Sequence, residues 1–459
     1  MKTFRKQSVI SASKADLYRW HASGQALQRL TPPSEKVKII SWKGGEKTQG
    51  LTEEEQFGDI STGARVHLKT YLGPVGLSMV ARHVDHQEEE FFVDQQEKGP
   101  FAYWKHVHRF THQDDHTSLL DDDIEYRLPV LRPPFTGKII ENKIQKMFAY
   151  RHYRTTEDLR RHAPYRDRAP MRVAITGSSG LIGRELASYL RSVGHTVLGV
   201  SRKENPVKGM ISMHRPSEWE GLDAVVHLAG ESINGLWTKS KKEKILSSRE
   251  KMTVRVSKIL AGLHKPPGVF ISSSAVGFYG DRGDEELVED STPGNDFLSD
   301  VCQRWERSTE DAKKAGIRCV IMRTGVVITP KGGALQKMLL PFSMGLGGPV
   351  GSGRQWMSWI SLDDMVYLLY FLMQSKDARG VFNATAPHPV QNQDFGKTLG
   401  KSLHRPAFMP LPAFMVRVIL GEMGDALLLT SAKVLPQKPL SLGYEFSHPT
   451  LTSCFSAFL

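Results

Sequence analysis

The chain has 459 residues, 40% hydrophobic and 24% charged, the balance of an ordinary globular protein of two or three domains rather than a disordered chain. Lys and Arg outnumber Asp and Glu by 61 to 49, a net charge of +12 that suits anionic ligands, but no Lys/Arg block forms a nucleic-acid tail. The three cysteines, Cys302, Cys319 and Cys454, make no CxxC pair. The opening MKTFRKQSVISASK lacks a signal-peptide core, and no uncharged apolar run reaches transmembrane length, so a cytoplasmic, reducing setting is expected.

Residues 1–152 read as an α+β domain rich in antiparallel strands. Val66–Tyr71 and Ser78–Val84 are β-rich and separated by a Gly73-Pro74 turn signal. Strict alternation puts Trp104, His106, His108 and Phe110 on one strand face. Ile140, Ile144, Met147 and Phe148 have helical spacing. Strands followed by one long helix suggest a curved sheet that grips it. Two histidines at i and i+2 can bind a metal, but no third ligand stands at useful spacing, so no metal is expected. Residues 153–170 are polar and basic and read as a linker.

From Met171 the pattern changes to alternating strands and helices. Strands are expected at 171–176, Thr196–Ser201, Asp223–Leu228, Val269–Ser273 and Arg318–Arg323. Helices are expected at Leu181–Val193, Lys239–Leu263 and Leu298–Ala315. This is an α/β, doubly wound parallel sheet of Rossmann type over residues 171–390. Residues 391–459 form a smaller, helical C-terminal region on the substrate side, packed on that sheet.

The run Thr176-Gly177-Ser178-Ser179-Gly180-Leu181-Ile182-Gly183 joins the first strand to the first helix. Gly177 permits the tight turn, Gly180 lets backbone approach a pyrophosphate, and Gly183 lets the helix pack closely on the sheet. The helix N-terminus adds unpaired N–H groups and a positive dipole end. The second strand ends in Ser201-Arg202-Lys203, where an NAD-specific site carries a carboxylate. Arg202 matches a 2′-phosphate, so NADP(H) is expected over NAD(H).

These motifs carry a resemblance. TGSSGLIG, HLAGESI, ISSSAVGFYG, FLSDVCQRWE, MRTGVVI and SWISLDDMV stand in the order found in atypical extended short-chain dehydrogenase/reductases of the NAD-dependent epimerase/dehydratase class. GLGGPVGSGRQWMSWI and LLLTSAKVLP resemble a subgroup described as nucleoside-diphosphate-sugar epimerase-like or cell-division-inhibitor-like. Through RLTPP, DQQEKGPFAYWKHVHRF and MFAYRH, the first 150 residues resemble a START/polyketide-cyclase (SRPBCC) domain. That resemblance implies a helix-grip fold and a hydrophobic ligand in a cavity lined by Trp104, His106, His108 and Phe110.

The first resemblance implies that Gly177, Ser179, Gly180, Leu181, Ile182, Gly183, Arg202, Leu228, Ala229, Gly230, Ser272 and Arg323 line the dinucleotide. It turns Trp237 and Arg249 toward a small-molecule substrate, with Glu231 beside the nicotinamide. The superfamily's hydride chemistry uses a Tyr with a Lys four residues later. None of the twelve tyrosines here has that lysine; Leu298 and Cys302 occupy the expected places. Ser274 matches the family's catalytic serine. Tyr279 is the nearby phenol; with no cationic neighbour it is expected to titrate near 10, a poor base but a feasible acid. Two readings stay open: an oxidoreductase or epimerase, and a dinucleotide-binding regulator without chemistry. Asp363-Asp364 reads as a helix N-terminal cap, and Trp356 and Trp359 as pocket wall or core.

Overall fold

The computed structural model describes residues 1–35, 37–49, 57–72, 75–130 and 136–459. The chain divides into two compact units, Met1–Ala169 with Ser188–Gly194, and Pro170–Ala187 with His195–Leu459. Among the described residues no helix is long and apolar enough to cross a membrane.

The first unit is built on one antiparallel sheet. Its strands are β1 (Lys2–Ile10), β2 (Lys38–Lys43), β3 (Arg65–Leu72), β4 (Val75–Gln87), β5 (Phe91–Lys98), β6 (Tyr103–His112) and β7 (Ser118–Arg127), in the order β1-β7-β6-β5-β4-β3-β2. Strands 2 to 7 meander, and β1 pairs with β7 along its whole length. The expected Gly73-Pro74 turn lies outside the described residues. On β6 the alternation holds: Trp104, His106, His108 and Phe110 are buried, and their neighbours are half-exposed. The long helix α1 (Thr136–His162) turns Ile140, Ile144, Met147 and Phe148 into a cluster with Trp104, Ile124 and Tyr126.

Helix α1 runs through His162, across residues expected to be a linker. Their polarity suggests solvation, yet Arg154 and Asp158 are buried. Asp158 takes a two-pronged ion pair from Arg29, with side chains 0% and 1% exposed. Buried charge of this kind survives only when paired.

The second unit is a parallel sheet. Its strands are β8 (Arg172–Thr176), β9 (Thr196–Ser201), β10 (Met210–Ser212), β11 (Ala224–His227), β12 (Val269–Ala275), β13 (Arg318–Thr324) and β14 (Gly380–Ala384), in the order β10-β9-β8-β11-β12-β13-β14. Every neighbouring pair is parallel. The short β10 has no periodic signal and was not expected. Strand β8 is buried from Val173 to Thr176 and β11 throughout, as helices on both faces require. Helices α2 (Leu181–Ser192), α3 (Lys239–Ala261) and α4 (Phe297–Arg307) follow β8, β11 and β12. The order reverses between β8 and β11, so their carboxyl ends open the crevice where such sheets take ligands. The C-terminal residues belong to this same unit, and Lys433–Val434 pairs with Glu286–Leu287 as a small parallel ladder.

Candidate functional site

The turn after β8 is shaped by backbone crowding. Gly177 has φ +70°, and a Cβ there would lie 3.0 Å from Ala229 N and from the Leu228 carbonyl carbon. A Cβ on Gly183 would stand 2.3 Å from Gly177 O. Gly183 therefore makes room for the turn's own carbonyl, where the sequence suggested contact with the sheet. Ser179 and Gly180 are exposed, and Leu181 and Ile182 are half-buried at the start of α2. Leu228 and Ala229 are half-buried and Gly230 exposed at the end of β11. These residues meet around the sheet's switch point, with the α2 N-terminus beside them.

A buried polar chain beneath the turn carried no signal in the sequence. Leu228 N and Ala229 N both donate to Thr176 Oγ1 at 3.2 Å. His227 places Nδ1 2.7 Å from Thr176 Oγ1 and Nε2 3.0 Å from Thr253 Oγ1. Thr253 donates its hydroxyl proton to Arg249 O at 2.6 Å, so it accepts from His227 Nε2–H. Nδ1 is then the acceptor from Thr176, and one neutral tautomer satisfies every group. Burial pushes the His227 pKa down from 6.5 to about 4.

This arrangement predicts acid sensitivity. The unfolded chain protonates His227 near 6.5, whereas the folded chain resists until about 4. Stability is fully present above 6.5 and is lost as pH falls toward 4, by about 3 kcal/mol in all. Thermal melts across that window should show a shallower pH dependence for His227→Asn, which cannot titrate. An unchanged slope would remove this histidine as the cause.

Arg202 follows β9 and is exposed. Its backbone is fixed by His214 Nε2 on Arg202 O at 3.0 Å.

The two residues expected at the chemistry, Ser274 and Tyr279, and two expected to line the dinucleotide, Ser272 and Arg323, lie in the interior. Glu306 on α4 holds Arg323 by two bonds, Nε–Oε1 at 2.8 Å and Nη2–Oε2 at 2.9 Å. Ser274 donates to Glu306 Oε1 at 2.7 Å. Arg323 Nη1 donates to Tyr279 Oη and to Glu289 O, both at 3.0 Å, and Tyr279 lies 2.7 Å from its acceptor Asn383 Oδ1. Tyr279, Ser274 and Arg323 are 0%, 3% and 4% exposed. Tyr279 thus has the cationic neighbour that the sequence denied it. Burial still outweighs that charge and raises the phenol. Ser272 is equally buried on β12. Arg323, Ser272 and the Tyr279 hydroxyl are thus held by interior partners. For Arg323 and Ser274 that partner is Glu306, from another element.

At the positions of the missing pair, Leu298 packs against Gly277, and Cys302 points its thiol at Ala275 O, 3.6 Å away. Burial pushes that thiol up to about 12, so it is inert at neutral pH.

On the substrate side, Glu231 is an exposed carboxylate paired with Lys241 at 2.8 Å, which lowers its pKa. Arg249 turns inward: Nη1 donates to Glu231 O at 3.1 Å and Ile245 O at 3.0 Å, with the guanidinium 5.1 Å over Trp305. It props the loop after β11. Trp237 bonds Ile233 O at 2.8 Å and sets its ring edge against Phe297. The C-terminal segment closes on this loop through Lys242–Glu422 at 2.6 Å and Gly235 N on Met423 Sδ at 3.3 Å. The helix Leu362–Gln374 is capped by Ser361, which accepts from Asp364 N at 2.9 Å; Asp364 instead accepts from Ser447 N and His448 N. Trp359 is core. Trp356 is half-buried and bonds Asp284.

In the first unit a cavity of about 300 Å³ is lined by Trp104, His106 and His108, while Phe110 packs away from it. Asp94 joins the two histidines in a cluster with metal-ligand geometry. Asp94 comes from the neighbouring strand, which sequence spacing along β6 does not reveal.

Residues 173–385 match the NAD dependent epimerase/dehydratase family, and residues 411–458 match a domain of unknown function, DUF1731. The epimerase family protein YfhF of Bacillus subtilis is 36% identical over 299 residues, 63% of this chain and 98% of YfhF. The human epimerase family protein SDR39U1 (isoform 2), solved with NADPH, is 35% identical over 63% of this chain and 99% of its own, with a TM-score of 0.60. The nucleoside-diphosphate sugar epimerase from Corynebacterium glutamicum matches 99% of this chain and 90% of its own at 31% identity and a TM-score of 0.79, so the match includes the N-terminal sheet. With its glycine turn at the switch point of a parallel sheet and relatives that it covers almost end to end, the chain belongs to the NAD dependent epimerase/dehydratase family.

Proposed function

We propose that the second unit binds NADP(H) as an atypical short-chain dehydrogenase/reductase. The observation that carries this is the turn from Gly177 to Gly183, where side chains are excluded by backbone and N–H groups remain at the head of α2. Ser179, Gly180, Leu181 and Ile182 would hold the pyrophosphate side, Leu228 to Gly230 the nicotinamide side, and Arg202 the 2′-phosphate. The cofactor supplies hydride transfer to or from a small substrate. NADPH in the human relative supports the choice of cofactor.

Arg202→Ala should weaken NADPH about 10- to 100-fold in calorimetric titration and leave NADH within about twofold. Equal affinity for both cofactors, unchanged by the substitution, would remove the preference. Failure of the wild-type chain to bind either would remove the whole reading.

A second reading is a dinucleotide-binding regulator that runs no reaction. It is favoured by the closed network of Ser274, Tyr279 and Arg323 and by the inert Cys302. Steady NADPH consumption with any carbonyl of a broad metabolite panel would exclude it. For the first unit, the START-like helix-grip reading is supported by the apolar cavity under α1, which suits a hydrophobic ligand.

A further inference from the structure

We propose that the first unit binds one divalent first-row transition-metal ion on Asp94, His106 and His108. This stands apart from the dinucleotide reading and uses none of its residues.

The strand pairing brings the three together. Asp94 on β5 stands opposite His106 on β6, and His108 lies two residues further on the same face. Asp94 Oδ1 is 3.3 Å from His106 Nδ1 and 3.5 Å from His108 Nε2. Donors at about 2.0–2.1 Å from a tetrahedral zinc are separated by about 3.4 Å, so the set needs little rearrangement to take an ion.

The opposite ring nitrogen of His106 is already oriented. His106 Nε2 donates to Asp122 Oδ1 at 3.0 Å, and His108 Nδ1 lies 2.7 Å from the same oxygen. Asp122 is buried and is held in turn by His152 Nε2 at 2.9 Å. The hydrogen bond from Asp122 behind His106 turns its free nitrogen toward a metal and strengthens it as a ligand, whereas His108 Nδ1 lies beside the same carboxylate without a hydrogen bond. In front lies the apolar cavity, which shares Asp94, His106 and His108 as its polar end. Two imidazoles and one carboxylate leave coordination positions open toward that space. The donor set selects zinc, iron, cobalt or nickel over calcium and magnesium, which demand oxygen.

The test uses the full, tag-free chain stripped of metal by chelation. Titration with Zn²⁺ and with Co²⁺ should each saturate at one equivalent per chain. X-ray absorption of the wild-type zinc complex should fit two imidazoles plus oxygen donors. Asp94→Asn and the pair His106→Gln with His108→Gln should lose the site. Asp122→Asn should weaken it about 10- to 100-fold. His83→Gln, on the same cavity wall, should retain it. Thermal melts and NADPH titration check that each variant is folded. Should the ligand variants not fold, the wild-type spectrum decides alone. Sub-stoichiometric uptake, or a zinc spectrum without two imidazoles, overturns the proposal and leaves an imidazolium–carboxylate network.

Discussion

Gly183→Val should weaken NADPH binding by about 100-fold or more, the loss of about 3 kcal/mol. The first atom added is the problem: a Cβ at 183 stands 2.3 Å from Gly177 O and 2.9 Å from Ser178 Cα. Those atoms cannot retreat. Space behind them is short: a Cβ on Gly177 would stand 3.0 Å from the Leu228–Ala229 backbone, and one on Gly199 would stand 2.8 Å from Ser178 Oγ. The turn must therefore open, and the N–H groups that it aims at a phosphate move with it. Gly180→Ala is the graded comparison, because its Cβ meets only Gly177 O, at 3.1 Å. It should cost about tenfold or less. Calorimetric titration of both variants, with circular dichroism to confirm folding, checks the order. If a folded Gly183→Val bound NADPH within threefold of wild type, the turn would not be the phosphate site.

Glu306→Gln should destabilise the second unit by about 3–5 kcal/mol. The substitution is nearly isosteric, so packing survives and the charge alone is lost. Arg323 stays ionised and buried, with only neutral acceptors at Glu289 O and Tyr279 Oη. Ser274 keeps an acceptor only if the new amide turns its oxygen toward it. At the usual size scaling the melting temperature should fall by roughly 10 °C. Replacing both partners by apolar residues, Glu306→Leu with Arg323→Met, should recover part of the loss, because no buried charge is then left alone. A melting temperature within about 2 °C of wild type for Glu306→Gln would show that the pair carries little of the fold's stability. The same variant separates structural from chemical roles. If Ser274, Tyr279 and Arg323 act only in the interior, NADPH affinity measured well below the melt stays unchanged.

The elements legible in the sequence are those specified by neighbours along the chain. The alternation from Trp104 to Phe110 reads directly as a half-buried strand, because side-chain direction has period two. The face of Ile140, Ile144, Met147 and Phe148 reads as a helix for the same kind of reason. The glycines at 177, 180 and 183 mark the turn, with a side chain shut out at 177 and 183, and Arg202 stands one strand later. The errors fall on polar residues. Residues 153–162 look like a linker because charge suggests solvent, whereas Asp158 is sealed against Arg29. Tyr279 looks isolated and Arg323 looks available because each was judged by its sequence neighbours.

By itself the sequence determined the parallel sheet, the glycine turn and the absence of a Tyr-x-x-x-Lys pair. Each is a matter of local pattern or of which residue types are present. Only the tertiary structure decided which buried polar groups meet: Glu306 with Arg323, His227 between two threonines, Asp94 across from His106. Periodicity shows which face is turned inward. It does not show the partner, because a buried charge or imidazole takes its meaning from a group on another strand or helix.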